Sequence, residues 1–371
     1  MRRGLRQIDW VVATTTLLIV ALGLLVLYSS GIKAGEVKSE IDASRQFLYA
    51  GIGLIGFIIT ARIDYRVFKS YVILLYVLMI LSLIAVSLFG FTVNGAQLWI
   101  SIGYFQFQPS EMAKLVLILS LSAFYSRYYT QSYQPRYLFY SFIIMLVPTA
   151  IVLMQPDLGT AMVLFVIWLS ITLASRVKKR YLVGGLVAGV ALLPLIYSRL
   201  APYQQNRINV LLNPQADKLG TGYNVTQAII AVGSGGWTGR GLSSGSQSQL
   251  NFLPSQHTDF IFAVLAEKLG FLGAALAIAL YAILIIRIFL LSTESIDRFG
   301  SFICIGTASM LLVHVLVNIG MNMGIMPVTG IPLPLISAGG TSMLTNLLTL
   351  GIILSIARHR ETKRRLKDEP V

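Results

Sequence analysis

The chain has 371 residues, 56% of them hydrophobic and only 12% charged, with a mean hydropathy of +0.75. A soluble domain carries about a quarter charged residues, so a soluble enzyme, a disordered chain and a secreted disulfide scaffold are all excluded; the single cysteine, Cys304, also removes intrachain disulfides and cysteine-type metal sites. The net charge of +14 resembles a nucleic-acid signal, but the basic residues fall between apolar runs, as membrane orientation requires, and no nucleic-acid partner is expected.

In chain order the apolar runs predict ten spans, at about 9–31, 46–62, 71–90, 111–127, 137–154, 158–175, 180–197, 259–291, 299–321 and 341–357. The fold class is therefore all-α, a single polytopic membrane domain over 1–371. The basic start, MRRGLRQ, has the charge of a signal peptide, but the apolar core behind it is too long for one, so it reads as a retained first span. Twenty of the 29 Lys and Arg residues fall on the termini and even-numbered loops. The opposite side holds Lys33, Lys38, Arg45, Arg199, Arg207, Lys218 and Arg240. Both termini are thus expected to be cytoplasmic, with 358–371 a basic cytoplasmic tail.

The fourth span opens with Pro109-Ser110-Glu111, and Lys114 follows on the same helical face. The two form either a pair that satisfies itself or a cation offered to an anionic headgroup with Glu111 orienting it. The sixth span opens with Gln155-Pro156-Asp157 and the eighth with His257-Thr258-Asp259. An acid in a helix's first turn is stabilised by the macrodipole, and Ser110 and Thr258 suit N-caps. Three such acids on one face of a membrane domain also point to function, because intramembrane acids are costly.

Residues 198–258 form a large extracytoplasmic loop, far longer than ordinary connections. Its glycines, Gly233, Gly235, Gly236, Gly239, Gly241 and Gly245, read as a flexible linker when taken alone. Apolar sequence on both sides suggests instead a packed, re-entrant surface. The segment 259–291 would be about 50 Å long as one helix, so it must tilt, break near Gly270 and Gly273, or stand above the membrane. Asp259, Glu267 and Lys268 are accordingly expected in a wet cavity at the outer face. Asp259, flanked by Phe260 and Phe262, is set against a low-dielectric wall, which raises a carboxyl's pKa and suits a general base. His257 reads as a loop hydrogen-bonder. The three histidines share no ligand spacing, and no phosphate-binding loop or dinucleotide fingerprint occurs. Between the ninth and tenth spans, Pro327, Pro332 and Pro334 interrupt the apolar pattern; irregular backbone at membrane depth must be buried or line a cavity.

Five stretches, FQPSEMAKL (107–115), QPDLGTA (155–161), Gly222-Tyr223 through IAVGSGGWTGRGL, NFLPSQHTDFIFAVLAEKLG (251–270) and GIMPVTGIPLPLISAGGTS, together resemble the SEDS family of shape, elongation, division and sporulation proteins. The PVTGIPLPL version is similar to the rod-shape branch. The resemblance implies a peptidoglycan glycosyltransferase of the bacterial cytoplasmic membrane. It would polymerise lipid II at the outer face during elongation and release undecaprenyl diphosphate. It implies Asp259 as the catalytic aspartate, and Glu111, Lys114, Gln108 and Asp157 as substrate-binding residues. Arg240, His257 and Glu267 join them as candidates from their motifs. A divalent cation, magnesium or manganese, is a further expectation, with no organic cofactor. Expected partners are the nascent glycan strand, a class B penicillin-binding protein and other elongation-complex membrane proteins. The chain departs from the family pattern at Leu98, Gln106 and Ala338, where arginine, arginine and tyrosine are common. The residues by themselves also fit a flippase for lipid-linked precursors, or a non-catalytic scaffold.

Overall fold

The computed structural model describes residues 8–33, 36–37, 40–93, 96–102, 105–199, 202–212, 217, 220–242, 253 and 255–368. The chain is mostly helical. Helices α1 (Trp10–Gly31), α2 (Glu40–Arg62), α3 (Arg66–Phe89), α4 (Pro109–Arg127), α5 (Pro135–Met154), α6 (Leu158–Ala174) and α7 (Lys179–Arg199) make up the first half. Two shorter helices follow, α8 (Pro202–Leu212) and α9 (Thr221–Ser234), then α10 (Ile261–Glu294), α11 (Arg298–Asn322) and α12 (Gly340–Asp368). Seven of the described helices are long and apolar enough to cross a membrane, and α6 is a shorter apolar helix.

The all-α expectation needs one correction. A pair of two-residue strands, β1 (Ile32–Lys33) and β2 (Glu36–Val37), follows α1. Strands β3 (Phe91–Val93), β4 (Ala96–Ile102) and β5 (Phe105–Phe107) form an antiparallel sheet between α3 and α4. The signal was present in the sequence: Asn94-Gly95 between runs rich in β-branched and aromatic residues is a hairpin pattern. It was hidden because the span pattern leaves 91–110 as the connection between the third and fourth spans.

The core is organised on α11, which packs against α10, α4 and α6, while α12 packs along α2 and α1 along α10. Helix α3 keeps Ile73, Leu81, Leu88 and Phe89 outward, as expected of a lipid-facing helix in which apolar residues go all round.

The predicted break in α10 falls at Gly270 (φ 67°, ψ −166°); Gly273 stays helical. Breaking a helix orphans carbonyls on one side and N–H groups on the other, a cost that hydrocarbon cannot relieve. The glycine tract relieves it. The N–H groups of Arg240 and Gly241 donate to the Glu267 and Lys268 carbonyls (3.0 and 3.1 Å), and those of Phe271 and Leu272 donate to Gly236 and Trp237 (2.8 and 3.2 Å). This close approach excludes side chains. A Cβ on Gly235 would lie 2.0 Å from the Ala266 oxygen, and one on Gly239 2.1 Å from the Lys268 oxygen. From Gly235 to Gly241 the tract is thus a packed surface and not a linker; Gly245 lies outside the described residues. We expect Gly235→Ala and Gly239→Ala each to lower thermal stability of the purified protein in detergent by at least the ~1–3 kcal/mol typical of overpacking. Gly233→Ala, with open space around it, serves as the neutral comparison.

Candidate active site

Pro109 supplies the first turn of α4 without an N–H to lose. That turn carries Glu111 into the protein, and Lys114 lies one turn on. Their side chains, each about 2% exposed as residues, form the predicted ion pair: Lys114 Nζ donates to Glu111 Oε1 at 2.8 Å. A third member was not foreseen. His314 Nδ1 lies 2.7 Å from the Met310 carbonyl, so it carries the ring proton. That leaves Nε2 to accept from Lys114 Nζ at 3.1 Å. Glu111 Oε2 and Ser110 Oγ are buried without a hydrogen-bond partner among the described residues. Ser110 is therefore not the cap it was expected to be; Gln108 holds the N-cap position of α4, with no side-chain cap bond, and donates its backbone N–H to Thr341 Oγ1 (3.1 Å).

Asp157 does cap a helix: its carboxylate accepts from the Thr160 N–H at 2.9 Å at the start of α6. It lies within electrostatic reach of Lys114 and Glu111.

Asp259 lies in the turns before α10, half-buried, and its backbone is held from two sides. Asn318 and Asn322 of α11 both donate Nδ2 to the Asp259 carbonyl at 3.0 Å, and Asn322 Oδ1 accepts from the Ala263 N–H at 3.1 Å. From the proline-rich stretch, Ser337 Oγ donates to the Thr258 carbonyl (2.6 Å) and the Ala338 N–H to the His257 carbonyl (2.8 Å). Gly330, in the left-handed region at φ 74°, passes beside the carboxylate: a Cβ there would be 3.8 Å from Asp259 Oδ2. Burial pushes the Asp259 carboxyl from its ordinary 3.8 to about 6. Arg207 and a Thr258 hydrogen bond oppose the rise, and Asp157 adds to it.

Asp157 is therefore the link between the two parts of the site: it acts on Asp259 and itself feels Lys114 and Glu111. His257 stays at its edge, half-buried, with Nε2 3.3 Å from Gln256 Nε2. Arg240 and Glu267 go elsewhere. Arg240 Nε donates to the Ser234 carbonyl (3.0 Å) on an exposed surface. Glu267 is fully buried in the first part of α10. Lys268, also buried, reaches Ser29 Oγ and the Leu242 carbonyl (3.1 and 3.0 Å). The wet cavity expected for Glu267 and Lys268 is thus corrected: both lie inside the packing around the Gly270 break. Thr258 is not a cap either; Phe260 takes the N-cap position of α10.

Four site residues escaped the sequence reading, although three of them, His314, Asn318 and Asn322, carry a signal. They lie four residues apart on one face of an apolar helix, where polar groups are expensive. Arg207 had no such signal.

Among the described residues, no three His, Cys, Asp or Glu side chains come together to hold a metal. A dedicated protein cage for the expected cation does not fit this site, and no chemical step is assigned to one.

A family model described as "Cell cycle protein", for FtsW, RodA and SpoVE, matches residues 9–362. The chain belongs to this SEDS family. Among SEDS relatives, it is 38% identical over 347 residues to the peptidoglycan glycosyltransferase MrdB of Escherichia coli K12, covering 93% of this chain and 94% of that one. Two solved SEDS-like structures also align. One, described as "Structural coordination of polymerization and crosslinking by a peptidoglycan synthase complex", gives a TM-score of 0.80 at 31% identity, covering 95% and 98% of the two chains. The other, the rod shape determining protein RodA of Thermus thermophilus, gives 0.70 at 29%, covering 95% and 97%. The SEDS departures also find places. Leu98 lies half-buried in β4, and Gln106 binds through its backbone, accepting from Thr341 Oγ1 at 3.0 Å. Ala338 acts through its N–H, which the tyrosine common there would also supply.

Proposed function

We propose that this chain is a peptidoglycan glycosyltransferase that joins lipid II units into glycan strands. The supporting observation is the arrangement of Asp259: a carboxyl with a raised pKa, its backbone pinned by two buried asparagines, coupled to Asp157, which in turn feels the Glu111–Lys114 pair. In this reading ionised Asp259 takes the proton from the acceptor sugar hydroxyl. That oxygen attacks the donor's anomeric carbon, and the bond from this carbon to the diphosphate breaks. Undecaprenyl diphosphate leaves with the electron pair, its charge met by Lys114 and by Arg207, the cation that acts on Asp259 across the site. The buried, unpaired Glu111 Oε2 is an acceptor available to a substrate donor. Gln108, Asp157 and His257 border the same region, whereas Arg240 and Glu267 serve the helix break.

The membrane arrangement belongs to the same proposal: ten spans in the bacterial cytoplasmic membrane, both termini cytoplasmic, and the 198–258 loop with Asp259 outside. The positive-inside count supports it. A divalent cation would be held by the substrate diphosphate with one or two carboxylates, Asp157 and Asp259 being the candidates, since magnesium commonly binds through carboxylates plus phosphates. A class B penicillin-binding protein, supplying the crosslinking this chain lacks, is the proposed partner, along with other membrane proteins of the elongation complex.

The test is polymerisation of labelled lipid II by purified protein with its penicillin-binding partner, transpeptidase blocked, alongside a partner-alone control. Polymer from the pair and none from the partner supports the reading. No polymer, in conditions where an established polymerase works, overturns it and favours a flippase or scaffold.

A further inference from the structure

A groove of about 330 Å³ lies between α3, α4 and α5, and none of its lining residues belongs to the site around Asp259. Lys69, in the first turn of α3, and Arg127, the last residue of α4, stand at its mouth, and Tyr76, Ser120 and Ile144 lie at its deep end. Seven residues separate mouth from deep end along each of α3 and α4, a depth of about 10 Å.

The inner groove cannot suit a polar ligand. The Tyr76 hydroxyl is spent on the Ile144 carbonyl (2.9 Å) and the Ser120 hydroxyl on the Val116 carbonyl (2.8 Å). Val72, Ala123 and Phe124 complete an apolar wall. The mouth has the opposite character. Among the described residues, no carboxylate pairs with Lys69 or Arg127. Their recorded neighbours are rings: Phe299 at 5.8 Å from the Lys69 ammonium and Tyr128 at 5.5 Å from the Arg127 guanidinium. Asp297, an acid at this end of the bundle, is taken by Arg66 at 3.3 Å.

An apolar slot opening on two uncompensated cations, on the outer surface of the bundle, is complementary to one kind of molecule: a lipid with an anionic headgroup and an acyl tail. We propose that this groove is a specific site for an anionic phospholipid, with the phosphate at Lys69 and Arg127 and the upper acyl chain along Tyr76 and Phe124. By the orientation proposed above, the headgroup lies in the cytoplasmic leaflet, opposite the catalytic face. The site would bind lipid whether or not the chain polymerises glycan, so its test does not use activity.

The experiment is native mass spectrometry of the delipidated full-length protein, mixed with cardiolipin or with phosphatidylcholine of matched acyl chains. Wild type should retain cardiolipin on the order of tenfold more than phosphatidylcholine. The Lys69→Gln/Arg127→Gln double variant should lose that preference. Arg136→Gln, which removes an exposed cation at the same end of the bundle but outside the groove, should keep it. Ala123→Leu, which narrows the slot while leaving both cations, should weaken retention of both lipids. Equal retention of the two lipids by wild type overturns the proposal. So does a preference that survives in the double variant. Undiminished retention by Ala123→Leu also overturns it, because the lipid would then sit on surface charge without entering the groove.

Discussion

Asp259→Asn is expected to lower glycan polymerisation by about 10²–10⁴-fold, the usual contribution of a general base, while leaving the protein folded. The amide keeps the shape of the side chain and leaves untouched the backbone carbonyl that Asn318 and Asn322 grip. The same physics makes a second, less obvious demand. The folded carboxyl titrates near 6 and the unfolded one near 3.8, so between those values the unfolded chain has released a proton that the fold still holds. Stability therefore falls as pH rises through this window, and above it ionised Asp259 is a net cost to the fold. Asp259→Asn should consequently melt no lower than wild type at pH 7, and the two should converge below pH 4. Wild-type activity should rise with pH through about 6 as the base ionises. A lipid II assay across pH 5–8 and a thermal melt on the same preparations read both effects. Retained activity in the variant would remove Asp259 from the chemistry. A variant that melts well below wild type at pH 7 would show that its loss of activity reports unfolding.

Lys114→Met is expected to damage both stability and activity, and the double variant Glu111→Gln/Lys114→Met to restore only the first. Removing Lys114 alone strands a carboxylate that is about 2% exposed, already has one oxygen without a partner, and has lost the ammonium that met the other. Breaking a buried pair in this way costs about 3–5 kcal/mol, whereas replacing both members together is often neutral. His314 shapes the outcome too. Its Nε2 accepts from Lys114 and would be left unpaired in both variants, so the double variant should recover most but not all of the lost thermal stability. If Lys114 meets charge on the departing diphosphate, polymerisation stays low in the stable double variant. Full recovery of activity there would make the pair a structural device that satisfies itself, the other reading its spacing allowed.

The positions of the helices were legible because a bilayer imposes a simple rule. Apolar runs of sufficient length must be helices with their hydrogen bonds closed internally, and a helix overlaps each predicted run, seven of the described helices being long and apolar enough to span. The Gly270 break was legible for the same reason: 33 uninterrupted apolar-rich residues were too long for the hydrocarbon core. Glu111 with Lys114 could be paired from sequence because helical spacing is local. The β3–β5 sheet was overlooked although its hairpin signal was present, since composition had already claimed the region as connection.

The amino-acid sequence by itself determined the class of molecule, the positions of its apolar helices and the family its motifs resemble. It also marked the acids worth attention. Only the tertiary structure decided which of these meet. Glu267 and Asp259 are eight residues apart, yet one is sealed beside the glycine tract and the other feels the charge of Asp157, from the start of α6. Lys114 and His314 are far apart in the chain and 3.1 Å apart in space. The physical reason is that helical periodicity fixes which residues share a face, whereas the partner of that face depends on how whole helices pack. Here α11 makes that decision, with His314 on Lys114 and Asn318 and Asn322 on the Asp259 backbone: a single polar stripe in an apolar helix that joins both halves of the site.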